Sequence, residues 1–274
     1  MPLWLEAGLW GLLGSSSLVV GVALAYLVHL PRRVTAGIMA FGCGVLVSAV
    51  AYDLLLEGYQ QSSFRPVVLG ALAGSAAYAV ANWLVSRAGG KHRKRSGGQQ
   101  RSEGASGGGG MAIAVGSLLD GIPESVVLGV GLIGGGGVSV AMLAAVFLSN
   151  LPEGLSSAVG MKGAGRSKGY VFGLWIGIAL LSAVASSLGA ALLGQASPAL
   201  IATVSAVAAG ALLTMIADTM IPEAVEGEGG LTGVLVVVGL LIAFMLSQGG
   251  SDGQDGAEEQ GGSSEQEAPP TQAG

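Results

Sequence analysis

The chain has 274 residues, of which 51% are apolar and only 11% are charged. Soluble proteins carry roughly 25% charged residues, so this composition favours lipid over water as the solvent of the chain. The single cysteine, Cys43, excludes an intrachain disulfide framework and a cysteine metal cluster. A formal net charge of -5 argues against a nucleic-acid partner, although the segment after Gly250 supplies much of that charge.

Long apolar stretches dominate the chain, and each has about the twenty residues needed to cross roughly 30 Å of hydrocarbon. They predict an all-α integral membrane protein in which residues 1–247 form a compact bundle of about eight transmembrane helices. The first stretch lacks a basic flank and a small-residue cleavage site, so we expect a retained span. The predicted spans, with ends defined to about two to four residues, are 7–29, 35–57, 66–86, 111–132, 138–160, 169–193, 198–223 and 231–247.

Basic residues indicate how the bundle is oriented. With the N-terminus outside, eleven of the 12 lysines and arginines fall in cytoplasmic loops and only Arg65 lies outside, which is the distribution expected of a multi-pass cell-membrane protein. Both termini are then outside. Segment 87–110 is basic and rich in Gly, Ser and Gln, which predicts a disordered cytoplasmic loop, and residues 248–274 are predicted to be a disordered acidic tail.

Glycine is unusually abundant, with 49 residues in the chain. Many lie inside the predicted spans, as in the segments 37–44 and 173–177. Small residues allow helices to approach closely in lipid. The glycines therefore predict tight helix packing and identify no site.

Acidic residues occur inside the predicted spans without basic partners. Asp120, Glu124 and Glu153 lie in spans four and five, and no lysine or arginine lies at comparable depth. A charged carboxylate at the centre of a bilayer costs a few kcal/mol on insertion scales, so these side chains are expected to face the interior of the bundle. Protons or bound cations must then compensate them.

Spans four and five share the pattern polar-x-x-Pro-Glu. Span four reads Asp120-Gly-Ile-Pro-Glu124, and span five reads Ser149-Asn-Leu-Pro-Glu153. The first residue of each pattern lies four positions before the glutamate and therefore shares its helix face. The proline removes a backbone hydrogen bond and is expected to kink each helix beside the acid. The predicted metal ligands are Asp120, Glu124, Ser149, Asn150 and Glu153.

Acids also occur where two other spans end. Span two ends with Asp53-Leu-Leu-Leu-Glu57, and span seven ends with Asp218-Thr-Met-Ile-Pro-Glu223. An ionised side chain near a membrane surface costs little free energy, so these residues are either solvated helix ends or the entrance and exit of a cation path. Both interpretations stay open for Asp53, Glu57, Asp218 and Glu223.

The two Pro-Glu motifs resemble those of the ZIP (Zrt/Irt-like) transporters, whose fourth and fifth helices typically read His-Asn-x-Pro-Glu-Gly. The resemblance covers the whole membrane part and identifies the chain as similar to a divergent, prokaryote-like member. It implies that Glu124 and Glu153 are shared between two adjacent metal positions and that Asn150 is a polar ligand. Ser186 stands where some members have a glutamate ligand.

Other positions depart from the family pattern. Asp120 and Gly121 stand where histidine and asparagine are usual, and Ser149 stands where histidine or glutamine is usual. The only histidines, His29 and His92, are not expected to be ligands, because they lie near a helix end and in the basic loop. The remaining oxygen donors favour Mn²⁺, Mg²⁺ or Ca²⁺ relative to Zn²⁺, although the Irving–Williams order still favours Zn²⁺ at equal availability.

The expected function is transport of a divalent metal cation into the cytoplasm by alternating access, with zinc first by resemblance and manganese, iron or another divalent ion as alternatives. No enzyme activity and no cofactor are expected, because no serine or cysteine is paired with a base. The expected partners are the metal ion and the lipid bilayer, with a homodimer left open. Two alternatives remain, namely a proton- or sodium-coupled carrier of another solute and a metal-binding homologue that does not transport.

Overall fold

The computed structural model describes residues 1–28, 30–87, 109–133, 139–228 and 230–261. All regular secondary structure in these ranges is helical. Most of the predicted cytoplasmic loop (88–108), the end of the predicted tail (262–274) and both histidines lie outside the described residues.

Eight long helices occur in the described ranges, and each overlaps one of the predicted spans. Serine side chains cap the beginnings of three of them by accepting a hydrogen bond from a backbone N–H three residues later. The helices are α1 (Leu3–Leu27), α2 (Arg32–Ala49, π-helical Val50–Leu56, Glu57–Gln61), α3 (Phe64–Val85), α4 (Gly109–Val130), α5 (Val140–Gly163), α6 (Lys168–Leu193), α7 (Pro198–Met215, π-helical Ile216–Met220, Ile221–Glu228) and α8 (Thr232–Gly261).

Apolar length identifies the class of the fold. Within the described ranges, six helices are long and apolar enough to cross a membrane, namely α1, α2, α3, α5, α6 and α7. The apolar part of α8, Thr232–Ser247, is shorter. The chain is therefore a multi-pass, all-α membrane protein.

The last helix extends beyond its predicted end. The span was predicted to end at Ser247 and to be followed by a disordered tail, but α8 continues to Gly261. The run Ala257-Glu-Glu-Gln260 consists of strong helix formers, which favours continuation of the helix despite the glycines before it.

Reciprocal glycines occur at three close helix crossings. At each of three crossings, both helices have a glycine at which a Cβ atom would overlap a backbone carbonyl oxygen of the other helix. The prediction of tight glycine packing is confirmed there, but nothing lies within 4 Å of a Cβ placed on Gly173 or Gly177. The glycine pairs are Gly21 and Gly154 (α1 with α5), Gly44 and Gly239 (α2 with α8), and Gly74 and Gly210 (α3 with α7).

Two groups of three helices pack in corresponding ways. Helix α2 packs on α8 as α7 packs on α3, and α1 packs on α5 as α6 packs on α4. The π-helical segments correspond too, because Val50 follows Gly44 by six residues and Ile216 follows Gly210 by six. Helices α1–α3 and α6–α8 therefore form two halves of the fold with corresponding contacts. The two π-helical segments carry Asp53 and Asp218.

Candidate metal-binding site

The five predicted ligands are all buried inside the bundle. Their side chains are between 1% and 5% exposed. Helical periodicity accounts for this, because each Pro-Glu motif lies within a continuous helix and its polar residues share a face. The buried ligands are Asp120, Glu124, Ser149, Asn150 and Glu153.

A hydrogen bond joins the two motifs across α4 and α5. The hydroxyl group of Ser149 lies 3.0 Å from Oε1 of Glu124 and also 3.0 Å from the carbonyl oxygen of Val146. The backbone of α5 is held here by α2, since a Cβ on Gly42 would lie 3.0 Å from the carbonyl oxygen of Leu148. Ser149 and Glu124 therefore meet beside α2.

Tyr78 is a site residue that the sequence did not reveal. Its side chain is 2% exposed and donates a hydrogen bond from α3 to Oδ1 of Asp120 on α4. The sequence offered one indication of this role, a tyrosine inside an apolar span, because a buried phenol hydroxyl usually has a hydrogen-bond partner. The pattern alone does not identify that partner.

The electrostatics of the site are dominated by negative groups. The buried charged side chains of the described ranges are Asp120, Glu124 and Glu153, and no lysine or arginine is buried with them. Ionised carboxylates are costly in a low-dielectric interior, where hydrogen bonds from hydroxyl groups offset part of the cost. The arrangement therefore attracts cations.

A cavity of about 360 Å³ opens where α2 and α4 end and where α5 and α7 begin. We call this end of the bundle the cavity end. Asp53, Glu57 and Ser139 contribute polar groups to the wall, and Leu128 contributes an apolar group. Leu128 lies about one helical turn beyond Glu124. A cavity of this volume can hold a hydrated cation, because each water occupies about 30 Å³ in the liquid.

Hydrogen bonds tie the acids of the cavity to several helices. Asp53 accepts from the hydroxyl of Ser139 on α5 at 2.8 Å and from that of Ser247 on α8 at 3.3 Å. Glu57 is exposed and accepts from the amide of Gln61 at 2.7 Å. The structure therefore brings these two predicted entrance or exit residues together in one wall.

The opposite end of the bundle carries basic side chains, and we call it the basic end. Lys162 and Lys168 lie over the ring of Tyr26, with their Nζ atoms 5.2 and 5.6 Å from its centroid. These contacts bring together the ends of α1 and α5 and the beginning of α6.

The two acids of α7 are separated. Half-buried Glu223 lies in a small cleft with Arg32, and the hydroxyl of Ser156 donates to it at 3.4 Å. Asp218 is exposed and lines neither this cleft nor the larger cavity. These two predicted residues therefore do not share a cavity, because positions five residues apart lie on different faces of a helix.

The donor set does not form a completed carboxylate cage. In the part of the chain that the structure describes, no group of three or more His, Cys, Asp or Glu side chains is arranged to hold a metal ion. Ser186 donates its hydroxyl to the carbonyl oxygen of Ala7 at 2.8 Å, so it serves the packing of α6 on α1. A cation at the predicted site would need the oxygens of Ser149 and Asn150.

Fold and site together define a multi-pass helical membrane protein with a buried acidic centre. No protein-family model and no curated protein sequence matches the chain. The resemblance to ZIP transporters therefore rests on the residues of the two Pro-Glu motifs.

Proposed function

We propose that this protein transports divalent metal cations into the cytoplasm by alternating access, as a ZIP-type transporter. The observation that carries the proposal is the burial of Asp120, Glu124 and Glu153, each at most 5% exposed. Buried carboxylates need a cation or a proton, and no buried base supplies one in the described ranges. A transported cation would satisfy that requirement while it is bound. After its release, the carboxylates would again need a cation or a proton.

The substrate would bind between α4 and α5, with Glu124 and Glu153 as its main ligands. The hydrogen bond between Ser149 and Glu124 supports this proposal because it joins polar groups of both helices. Binding would draw the carboxylates closer together, and the Ser149 hydroxyl and Asn150 amide oxygens would complete the coordination. Oxygen ligands of this kind suit divalent cations that keep part of their hydration.

The path would run from the cavity end to the basic end. The cavity beside Asp53 and Glu57 supports an entrance for a hydrated cation, since carboxylates concentrate cations near an opening. The cleft beside Glu223 supports an exit. Asp218 lines neither of these openings, so no comparable observation supports a role for it in the path.

The proposal requires eight membrane spans, with α4 and α8 crossing in addition to the six apolar helices. The basic end would face the cytoplasm by the positive-inside rule, which leaves both termini outside. Kinks at Pro123 and Pro152 would allow α4 and α5 to bend during transport. The two corresponding halves, α1–α3 and α6–α8, are the kind of internal repeat that exchanges inward and outward states in many carriers.

Two arguments bear on the identity of the metal, and they favour different ions. Resemblance favours Zn²⁺, and a donor set of carboxylate, amide and hydroxyl oxygens favours harder ions such as Mn²⁺. We propose a divalent cation, with zinc first and manganese or iron next.

Uptake by proteoliposomes tests this function. The native chain should accumulate Zn²⁺ or Mn²⁺, and Glu124→Gln and Glu153→Gln should each abolish uptake. Glu6→Gln is the matched control, because Glu6 lies in the first turn of α1, away from the proposed ligands, and the change removes the same charge.

The results separate the proposal from its rivals. Unchanged uptake in both site variants would show that the site is wrong. Binding without uptake by the native chain would favour a non-transporting homologue, which the departures at Asp120, Gly121 and Ser149 also favour. Uptake of another solute, driven by a proton or sodium gradient and without metal, would favour a coupled carrier.

A further inference from the structure

Tyr78 and Asp120 form a buried link between α3 and α4. Each side chain is 2% exposed, and the phenol hydroxyl donates to Oδ1 of the carboxylate. A hydrogen bond from a hydroxyl group to an ionised carboxylate is stronger than one between neutral groups. Tyr78 therefore constrains a side chain that the proposed metal site uses.

The packing of α3 on α7 determines where the phenol group lies. Gly74 precedes Tyr78 by about one turn, and with Gly210 it forms one of the closest helix crossings in the described ranges. The hydroxyl of Thr214 on α7 also donates to that of Ser75 on α3 at 2.8 Å. The helix that carries Tyr78 is thus held on α7 by two contacts that do not involve α4.

The chemistry of the carboxylate leaves room for a metal ion. An ionised aspartate has two oxygens with about four positions for accepting hydrogen bonds or binding a cation. The phenol group uses one position on Oδ1, and a single hydrogen bond of this kind is compatible with a cation bound to the same carboxylate. Carboxylates that bind metals are commonly oriented in this way by hydrogen-bonded partners.

We infer that Tyr78 is a positioning residue for Asp120: its hydroxyl holds the carboxylate in the orientation in which it binds the divalent cation. The inference rests on the proposed function and adds a determinant of metal affinity that lies outside the Pro-Glu motifs. Tyr78 does not itself bind the metal. Its effect must therefore depend on the presence of the Asp120 carboxylate.

A double-mutant cycle on the full chain tests this dependence. Mn²⁺ binding would be measured by electron paramagnetic resonance in detergent for the native chain, Tyr78→Phe, Asp120→Asn and the double variant. Loss of an outer partner of a metal ligand typically lowers affinity about 10- to 100-fold, so Tyr78→Phe should raise the Kd at least about tenfold. The double variant should bind no more weakly than Asp120→Asn alone.

Tyr26→Phe is the matched control, because the Tyr26 hydroxyl is buried without a hydrogen-bond partner among the described residues. It should leave the Kd unchanged. An unchanged Kd in Tyr78→Phe, or an equal weakening in the presence and absence of the Asp120 carboxylate, would overturn the inference.

The two proposals fail in different ways. If the native chain binds Mn²⁺ and Glu124→Gln abolishes that binding, an unaffected Tyr78→Phe variant overturns only the role of Tyr78. If the native chain binds neither Mn²⁺ nor Zn²⁺, the proposed function fails and the inference fails with it.

Discussion

The hydroxyl oxygen of Ser149 lies 3.0 Å from Oε1 of Glu124 and thereby connects the two helices that carry the Pro-Glu motifs. Ser149 is 1% exposed, so the hydrogen bond forms in a dry environment. A donor at this position therefore belongs to the candidate site, and a change of its chemistry should change which metal the site prefers.

Replacement of Ser149 by cysteine should shift that preference toward zinc. The two side chains have similar size, but a thiolate is a softer ligand that favours Zn²⁺ over Mn²⁺. We expect the ratio of Zn²⁺ to Mn²⁺ affinity to rise at least about tenfold, or ~1.4 kcal/mol, as measured by competition binding. Ser186→Cys is the control, because that buried hydroxyl binds the carbonyl oxygen of Ala7. Equal shifts in both variants would contradict a role for Ser149 as a ligand.

Removal of the buried charge at Glu124 should stabilise the metal-free protein. Glutamine keeps the shape of the side chain and removes a charge that is expensive to bury. In detergent with a chelator, Glu124→Gln should therefore unfold at a higher temperature than the native chain. Addition of metal at about 100 times the Kd should stabilise the native chain by about 2.7 kcal/mol and leave the variant unaffected. A lower unfolding temperature for the metal-free variant would show that the charge is compensated within the protein.

Alanine at a crossing glycine should destabilise the bundle. A Cβ on Gly44 or Gly210 would overlap the carbonyl oxygen of Val236 or Ala71, so the helices must separate. Overpacking of this kind costs about 1–3 kcal/mol. Gly177→Ala provides the comparison, because nothing lies within 4 Å of its Cβ position. Thermal unfolding in detergent should show a loss for the first two variants and none for the third.

The acids of the cavity wall should affect capture of the cation more than its final binding. Asp53→Asn and Glu57→Gln reduce the negative potential of the cavity, so uptake at low metal concentration should slow and KM should rise. The difference from the native chain should shrink at high ionic strength, because salt screens exposed charges. Equilibrium affinity, measured separately, should stay within about fivefold, given that charge pairs near a surface contribute less than about 1 kcal/mol. A large loss of affinity would show that these acids belong to the proposed metal site between α4 and α5.

Local periodicity explains why much of the candidate site could be predicted. Positions four residues apart lie on one face of any α-helix, so Asp120 and Glu124 had to share a face once α4 formed. Their cost in lipid required that face to point inward, and both are buried. The same reasoning predicted helices wherever about twenty apolar residues occur together.

Contacts between distant segments could not be predicted in that way. Tyr78 and Asp120 are 42 residues apart, and the packing of α3 on α4 determines which side chain the phenol group meets. Glu223 likewise shares a cleft with Arg32 and Ser156 because α2 and α5 pack beside the end of α7, and those helices lie far from Glu223 in the chain.

The amino-acid sequence by itself determined that this chain is a helical membrane protein and that Asp120 and Glu124 share an inward face, because hydropathy and helical periodicity act within one segment. Only the tertiary structure decided which acids share a cavity, which serine meets Glu124 and which tyrosine holds Asp120. Those outcomes depend on how the helices pack on one another, and the reciprocal glycines that hold three of the crossings lie far apart in the chain.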